Sequence, residues 1–317
     1  MNDRIFIFAL CLALWMASGV TLADEAEETS FDVVASKILE ESGVQGGLIV
    51  HLGCGDGRLT TALGADGRFV VHGLAVNATE VAEARSHVRS LGVYGKVSID
   101  TFDGTRLPYA DNMVNLLTAG TLGGVSREEV MRVLVPGGVA IIGGERIVKP
   151  WPEAIDDWTH FLHGPDGNAV SRDRLVGKPR SLRWLDDPKF ARHHDEVLTT
   201  SAVVASGGRI FSIVDYAPRS TFHERIGGKY FLIARDAFNG VQLWKRPIAD
   251  WGWKSWGARQ NVRFSQPIQL PKRMVAHGDR LYVTLGWNAP VSVIDAASGD
   301  VIQTLEHSKY ADEILFC

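Results

Sequence analysis

The sequence predicts an α/β domain with a parallel sheet over residues 31–148, followed by an antiparallel, all-β half over residues 151–317. Three observations carry this reading. Before residue 148, apolar runs of strand length alternate with helix-period segments, the pattern of a parallel sheet covered on both faces. After it, two segments repeat one another between turn residues. Charge and tryptophan divide at the same seam. Residues 24–148 hold 17 acidic and 10 basic side chains (net −7), residues 149–317 hold 19 and 22 (net +3), and eight of the nine Trp fall between Trp151 and Trp287. The domain boundary is therefore placed at Val148–Trp151. The full chain, 317 residues with net charge −4 and 45% hydrophobic content, excludes wholesale disorder, collagen-like repeats and a polybasic nucleic-acid binder.

Residues 1–23 read as an address. Arg4 precedes the apolar run Ile5–Trp15, and Thr21-Leu22-Ala23 places small residues at −3 and −1 before the acidic stretch from Asp24. The run is short of the ~20 apolar residues that span a bilayer, so a cleaved signal peptide is expected rather than an anchor. The mature chain then begins at Asp24, keeps only Cys54 and Cys317, and has no transmembrane span. The expected location is periplasmic or extracellular.

In the first domain, Phe31–Glu40 has helical spacing and ends near Gly43, and Gly47–Leu52 is a buried strand. Helices follow over Arg58–Leu63, Ala78–Leu91 and Glu128–Leu134. Strands follow over Phe69–Leu74, Val97–Ile99, Val114–Thr118 and Val139–Ile142, the last after a predicted turn at Pro136-Gly137-Gly138. The first strand runs into Gly53-Cys54-Gly55-Asp56-Gly57. Glycines there permit torsions that a β-carbon forbids and let the main chain approach a ligand, where such sheets bind nucleotides.

The stretch Val50-His51-Leu52-Gly53-Cys54-Gly55-Asp56-Gly57 resembles the first motif of class I S-adenosylmethionine-dependent methyltransferases. Phe102-Asp103-Gly104-Thr105-Arg106-Leu107-Pro108-Tyr109 is similar to the family's segment bordering the adenine, and Val130–Gly138 to its turn before the fifth strand. The resemblance implies a Rossmann-like methyltransferase fold, S-adenosylmethionine as cofactor, and cofactor contacts from His51, Gly53, Cys54, Gly55, Asp56, Gly57, Ala75, Asn77, Asp103 and Gly104. Two of these depart from the family. His51 stands where an acidic residue helps fix the methionine amino group. Ala75 stands where a carboxylate takes both ribose hydroxyls, with Asn77 a partial substitute. Each lost charge-assisted bond is worth about 1.5–3 kcal/mol, so cofactor binding is expected to be weak or lost. The family's last two strands also have no evident counterpart after Ile142.

In the second half, Gly207-Gly208-Arg209-Ile210-Phe211 matches Gly278-Asp279-Arg280-Leu281-Tyr282, and Ile233–Trp244 matches Ser292–Gln303. Each unit reads as turn, strand, strand, Asp-Ala-x-x-Gly turn, strand, with an insertion in the first copy within Tyr216–Gly228. The pattern Ala234-x-Asp236-x-x-x-Gly240-x-x-x-Trp244 resembles the repeat of pyrroloquinoline-quinone-type propellers, which include quinoprotein dehydrogenases and a periplasmic scaffold of outer-membrane assembly. Residues 158–168 are similar to the entry segment of such proteins. The resemblance implies an incomplete propeller in which Asp236 accepts turn N–H bonds, Gly240 takes a positive φ and Trp244 docks between blades. No quinone site, adjacent-Cys pair or calcium cage is recognisable, so pyrroloquinoline quinone is not expected as a cofactor. Only two repeats are visible and the sequence stops in an apolar, strand-like stretch, Ile314-Leu315-Phe316-Cys317, which reads as a truncated frame.

Two further clusters carry candidate chemistry. His160, His163, His193, His194 and Asp195 carry metal-ligand chemistry, but their spacings fit no established motif and loop hydrogen bonding is the favoured reading. Trp251, Trp253 and Trp256 with Lys254 and Arg259 suit either stacking on a sugar or peptide or capping the β core. No catalytic residue is assigned. The functional expectation is an exported binding or scaffold protein whose methyltransferase-like domain is degenerate, with a small molecule or protein bound on the propeller. An active methyltransferase using the propeller to recruit substrate is the alternative, and a quinone- or metal-dependent oxidoreductase the weaker one.

Overall fold

The computed structural model describes residues 30–178, 182–189, 199–218, 228–256 and 267–316. The expected signal segment, His193, His194, Asp195, Arg259 and Cys317 lie outside them, as does most of the insertion after Tyr216.

A helix over 30–42 (α1) ends at Gly43, whose φ of +69° and N–H bond to Leu39 O close it. The sheet is built from β1 (Gly47–Leu52), β2 (Phe69–Ala75), β3 (Val97–Thr101), β4 (Val114–Ala119), β5 (Leu134–Ile142) and β6 (Glu145–Val148) in the order β3-β2-β1-β4-β5-β6. The first five strands are parallel; β6 returns antiparallel to β5. The helices α2 (Arg58–Leu63), α3 (Ala78–Ser90) and α4 (Arg127–Val133) fill three of the four crossovers, and residues 102–113 join β3 to β4 without a helix. Cores lie on both faces. One holds Ile49, Val71, Val81, Val88 and Ile99, the other Val50, Leu74, Leu117, Val133 and Ala140. Alternate residues of β1 and β2 feed opposite faces, which is why these strands read as continuous apolar runs.

Two expectations are corrected here. Pro136-Gly137-Gly138 is not a turn ahead of the strand but a bulge within β5. Val114 pairs with Leu134 and Leu116 already with Val139, so three extra residues loop out. A side chain at Gly138 would meet Val135 O at 2.8 Å and Val114 O at 3.0 Å, so only glycine fits the bulge. The sheet also does not end at Ile142. The Gly143-Gly144 hairpin, with φ of +56° and +86°, brings β6 alongside β5.

The β half contains two four-stranded antiparallel meanders. One comprises β7 (Thr200–Ser206), β8 (Arg209–Asp215), β9 (Tyr230–Asp236) and β10 (Gln242–Pro247). The other comprises β11 (Met274–His277), β12 (Arg280–Thr284), β13 (Val291–Asp295) and β14 (Val301–Leu305). Each unit thus has one strand more than the repeat showed, because β7 and β11 precede the matched glycine turns. Both meanders share one core, with Phe211, Leu232, Trp244, Leu281 and Ile294 buried together. Asp236 Oδ1 accepts N–H bonds from Phe238 and Asn239, and Gly240 has φ +77°. Trp244 lies across the next meander, its Nε1 donating to Ala296 O at 3.0 Å.

Trp184, 60 positions before Trp244, packs on the first meander's turn in the same manner. Its Nε1 donates to Ala237 O, and a side chain at Gly240 would strike its ring at 2.4 Å, as one at Gly299 would strike Trp244 at 2.7 Å. The sequence carried this signal in the spacing of the two tryptophans. Trp251 and Trp256 are buried in the shared core and edge-on to each other, and Trp256 is also edge-on to Trp287 and Tyr230. Of the two roles open for them, both serve as core.

Candidate functional site

The C-terminal ends of β1, β2 and β3 form one rim, stitched by main-chain bonds from Gly53 N to Leu74 O and from Phe102 N to Ala75 O. Gly53, Gly55 and Gly57 have φ of +73°, +51° and +87°. A β-carbon at Gly53 or Gly55 would meet nothing within 4 Å, so these two face open space above the sheet. Gly57 is different. It caps α2 in the left-handed conformation, and a β-carbon there would touch Ala84 at 3.1 Å, so it sets how closely α3 approaches the turn.

His51 turns inward from the rim. It is buried, with Nδ1 2.8 Å from Thr60 Oγ1, and burial pulls its imidazole pKa down to about 4. The ring is therefore neutral at pH 7 and is committed to the α2 helix. Thr60 was not singled out from sequence. Its signal was Gly73 in the middle of β2, where a side chain would crowd Ile99, Cys54 and Thr60 at 2.6, 2.9 and 3.1 Å. Cys54 is buried, and its thiol is pushed up to about 11 by that burial, so it is no nucleophile at neutral pH.

Ala75 is the last residue of β2 and is packed in the same core as Val71, Val81 and Ile99. Asn77 caps α3, its Oδ1 accepting from Thr79 N at 2.8 Å, so that oxygen is occupied locally. Asp103 lies exposed in the loop after β3. Its Oδ1 accepts from the N–H groups of Arg106 and Thr105 and from the Thr105 hydroxyl, and these bonds hold the carboxyl below the usual carboxylate range. Gly104 has φ +86° and sits over Val76. The sequence-predicted residues therefore do share one rim, with His51 and Ala75 turned into the core.

The clustered histidines of the second half form hydrogen bonds with nearby residues where they are described. His163 Nε2 lies 2.7 Å from Asp156 Oδ2, and His160 Nδ1 lies 2.7 Å from Thr159 Oγ1. Among the described residues no group of three or more His, Cys, Asp or Glu is gathered as metal ligands, and no helix is long and apolar enough to cross a membrane.

Residues 49–138, from β1 into β5, match the family model of the methyltransferase domain. The chain carries a methyltransferase-like domain. It is 27% identical over 188 residues to the ubiquinone/menaquinone biosynthesis C-methyltransferase UbiE of Klebsiella pneumoniae, covering 55% of this chain and 70% of that one. It is 34% identical over 96 residues to the methyltransferase GfsG of Streptomyces halstedii, covering 28% of this chain and 34% of that one. Among solved structures, the cyclase SpnF matches with 28% identity and a TM-score of 0.33, over 35% of this chain and 43% of that one. The chain thus spans about a third of GfsG and less than half of the cyclase. The methyltransferase-like domain accounts for the rim described above; the β half lies outside the matched family segment.

Proposed function

We propose that the methyltransferase-like domain is a degenerate nucleotide-binding scaffold, one that binds S-adenosylmethionine weakly and transfers no methyl group, within an exported protein. Ala75 carries this reading. It occupies the strand end from which a carboxylate would reach the ribose, it has no polar atom beyond its backbone, and the residue is only 3% exposed. The neutral His51, bonded to Thr60, supplies no negative charge for an ammonium group. The glycine rim and Asp103 still leave a place for a nucleoside. The two meanders are read as blades of a pyrroloquinoline-quinone-type propeller that binds a small molecule or protein. Their Asp-turn-Gly corners, each covered by a tryptophan of the preceding segment, support that reading.

An active methyltransferase is the second reading, favoured by the identity to the C-methyltransferase and by the intact glycine turn. Calorimetric titration of the full chain with S-adenosylmethionine separates the two. Dissociation constants of about 100 μM or weaker fit the degenerate site, whereas low-micromolar binding with methyl transfer to any acceptor revives the enzyme.

A further inference from the structure

The two repeats of the β half place an arginine at the same point of their second strands. Arg280 faces Asp295 across the β12–β13 pair, with Nη1 3.4 Å from Asp295 Oδ2 and 3.2 Å from Asp279 Oδ2. Arg209 faces Asp236 in the same register of β8 and β9 but makes neither contact. One half of the difference comes from the other domain and one from the sequence of the turn. Asp236 Oδ2, the oxygen equivalent to the one Arg280 uses, accepts instead from Asn115 Nδ2 at 2.6 Å. The position of Asp279 is held by Gly208, where a side chain would press on Phe238 and Trp151 at 3.2–3.4 Å. Docking of the first domain thus takes one of the arginine's counterparts away, and the glycine at position 208 removes the other.

The released guanidinium lines a cavity of about 390 Å³ between the domains. Burial pulls the Arg209 pKa below its usual range, Asp236, Asp295 and Asp279 offsetting this at a distance. Asp295 and Asp279 are themselves paired with Arg280. Of the other charged groups on the wall, Asp236 is bonded to Asn115, and Arg146 donates to the carbonyls of Glu41 and Ser42. Arg209 has no hydrogen bond or ion pair among the described residues. Trp151 and Phe238 supply aromatic surface beside it. The cavity lies at the strand starts, beside Gly46 and Asn115, at the opposite end of the sheet from the glycine rim.

We propose that this cavity binds a small aromatic carboxylate, its carboxylate on the Arg209 fork and its ring against Trp151. A planar guanidinium matches a carboxylate in bidentate fashion, an aromatic face accepts a ring, and the volume suits a one-ring molecule.

The test is calorimetric titration of the full chain with sodium benzoate, with acetate and inorganic phosphate as comparators at matched ionic strength. Benzoate is expected to bind at least about tenfold tighter than acetate. Arg209→Gln should weaken benzoate about ten- to a hundredfold while leaving the unliganded melting temperature unchanged or higher, since it removes a partly buried charge that has no partner among the described residues. Arg280→Gln should do the reverse, lowering the melting temperature and sparing benzoate. The proposal is overturned if no benzoate binds below about 10 mM, if Arg209→Gln binds it as well as the parent chain, or if phosphate binds more tightly than benzoate.

Discussion

Asn115 Nδ2 donates to Asp236 Oδ2 at 2.6 Å, a bond between residues 121 positions apart that joins the parallel sheet to the first meander. The same amide is saturated on its other side, Oδ1 accepting from Leu48 N and from Asn239 Nδ2. Gly47 makes room for it: a β-carbon there would lie 2.1 Å from Asn115 Oδ1. The buried Asp-Asn-Asn cluster fixes one relative placement of the two domains, because any other leaves several polar groups unmet.

Replacing Asn115 with alanine should therefore uncouple the domains. Asp236, Asn239 and the Leu48 N–H each lose a partner, a cost of about 2–4 kcal/mol once partial relaxation is allowed for. In urea unfolding followed by both tryptophan fluorescence and far-UV circular dichroism, a single transition should separate into two. Unchanged, coincident curves would show that the cluster does not hold the domains together.

Ala75→Asp should strengthen S-adenosylmethionine binding about ten- to a hundredfold, the worth of one charge-assisted bond. Because Ala75 is packed in the core, the same change should lower the melting temperature of the unliganded chain. Both effects belong together. A loss of stability with no gain in affinity would mean that the rim does not hold a ribose at this strand end.

His51 predicts an acid limb in stability. Its folded pKa, about 4, lies below the ordinary value of 6.5, so the unfolded chain takes up the proton first. The contribution is fully present above pH 6.5 and is lost as pH falls toward 4, amounting to about 3 kcal/mol. Burial moves His72 and His160 in the same direction, so the measurement is a difference. Unfolding free energy between pH 7 and pH 4 should fall less steeply for His51→Gln than for the parent chain. Parallel slopes would sink the assignment.

Trp244→Ala should cost about 3–5 kcal/mol, because the ring is buried between two meanders and its Nε1 satisfies Ala296 O. Trp184→Ala should cost less, since that side chain is only half-buried. Denaturation of the two variants in parallel checks the order, and an equal or reversed order would show that the second meander does not depend on Trp244.

Much of the α/β half was legible because burial on both faces writes itself as unbroken apolar runs. β1 and α2 fall where the pattern put them. β6 was not legible. Its Glu-Arg-Ile-Val stretch is largely exposed and carries no buried run, and it is a strand only because the Gly143-Gly144 hairpin sets it beside β5. The bulge at Gly137 reads as a turn in the sequence because Pro-Gly-Gly is turn composition and Gly137 takes a positive φ in the bulge as well. Asn115 passed unnoticed, although a polar residue inside a fully buried strand is a signal that something distant must bond it. The site's glycine rim could be read directly. The inward fate of His51 and the cavity at Arg209 could not, since both depend on contacts between segments far apart in sequence.

The position of Cys54 has an experimental use. Its sulfur is enclosed beneath a turn whose neighbouring glycines face open space, and at neutral pH it is a thiol rather than a thiolate. An alkylating reagent can reach it only when the turn lifts away from β2, so the rate of labelling, read by peptide mapping, counts those openings. Any molecule that settles on the glycines should slow that clock. The chain carries its own reporter of occupancy, one that responds to ligands of any chemistry and requires no assay of turnover.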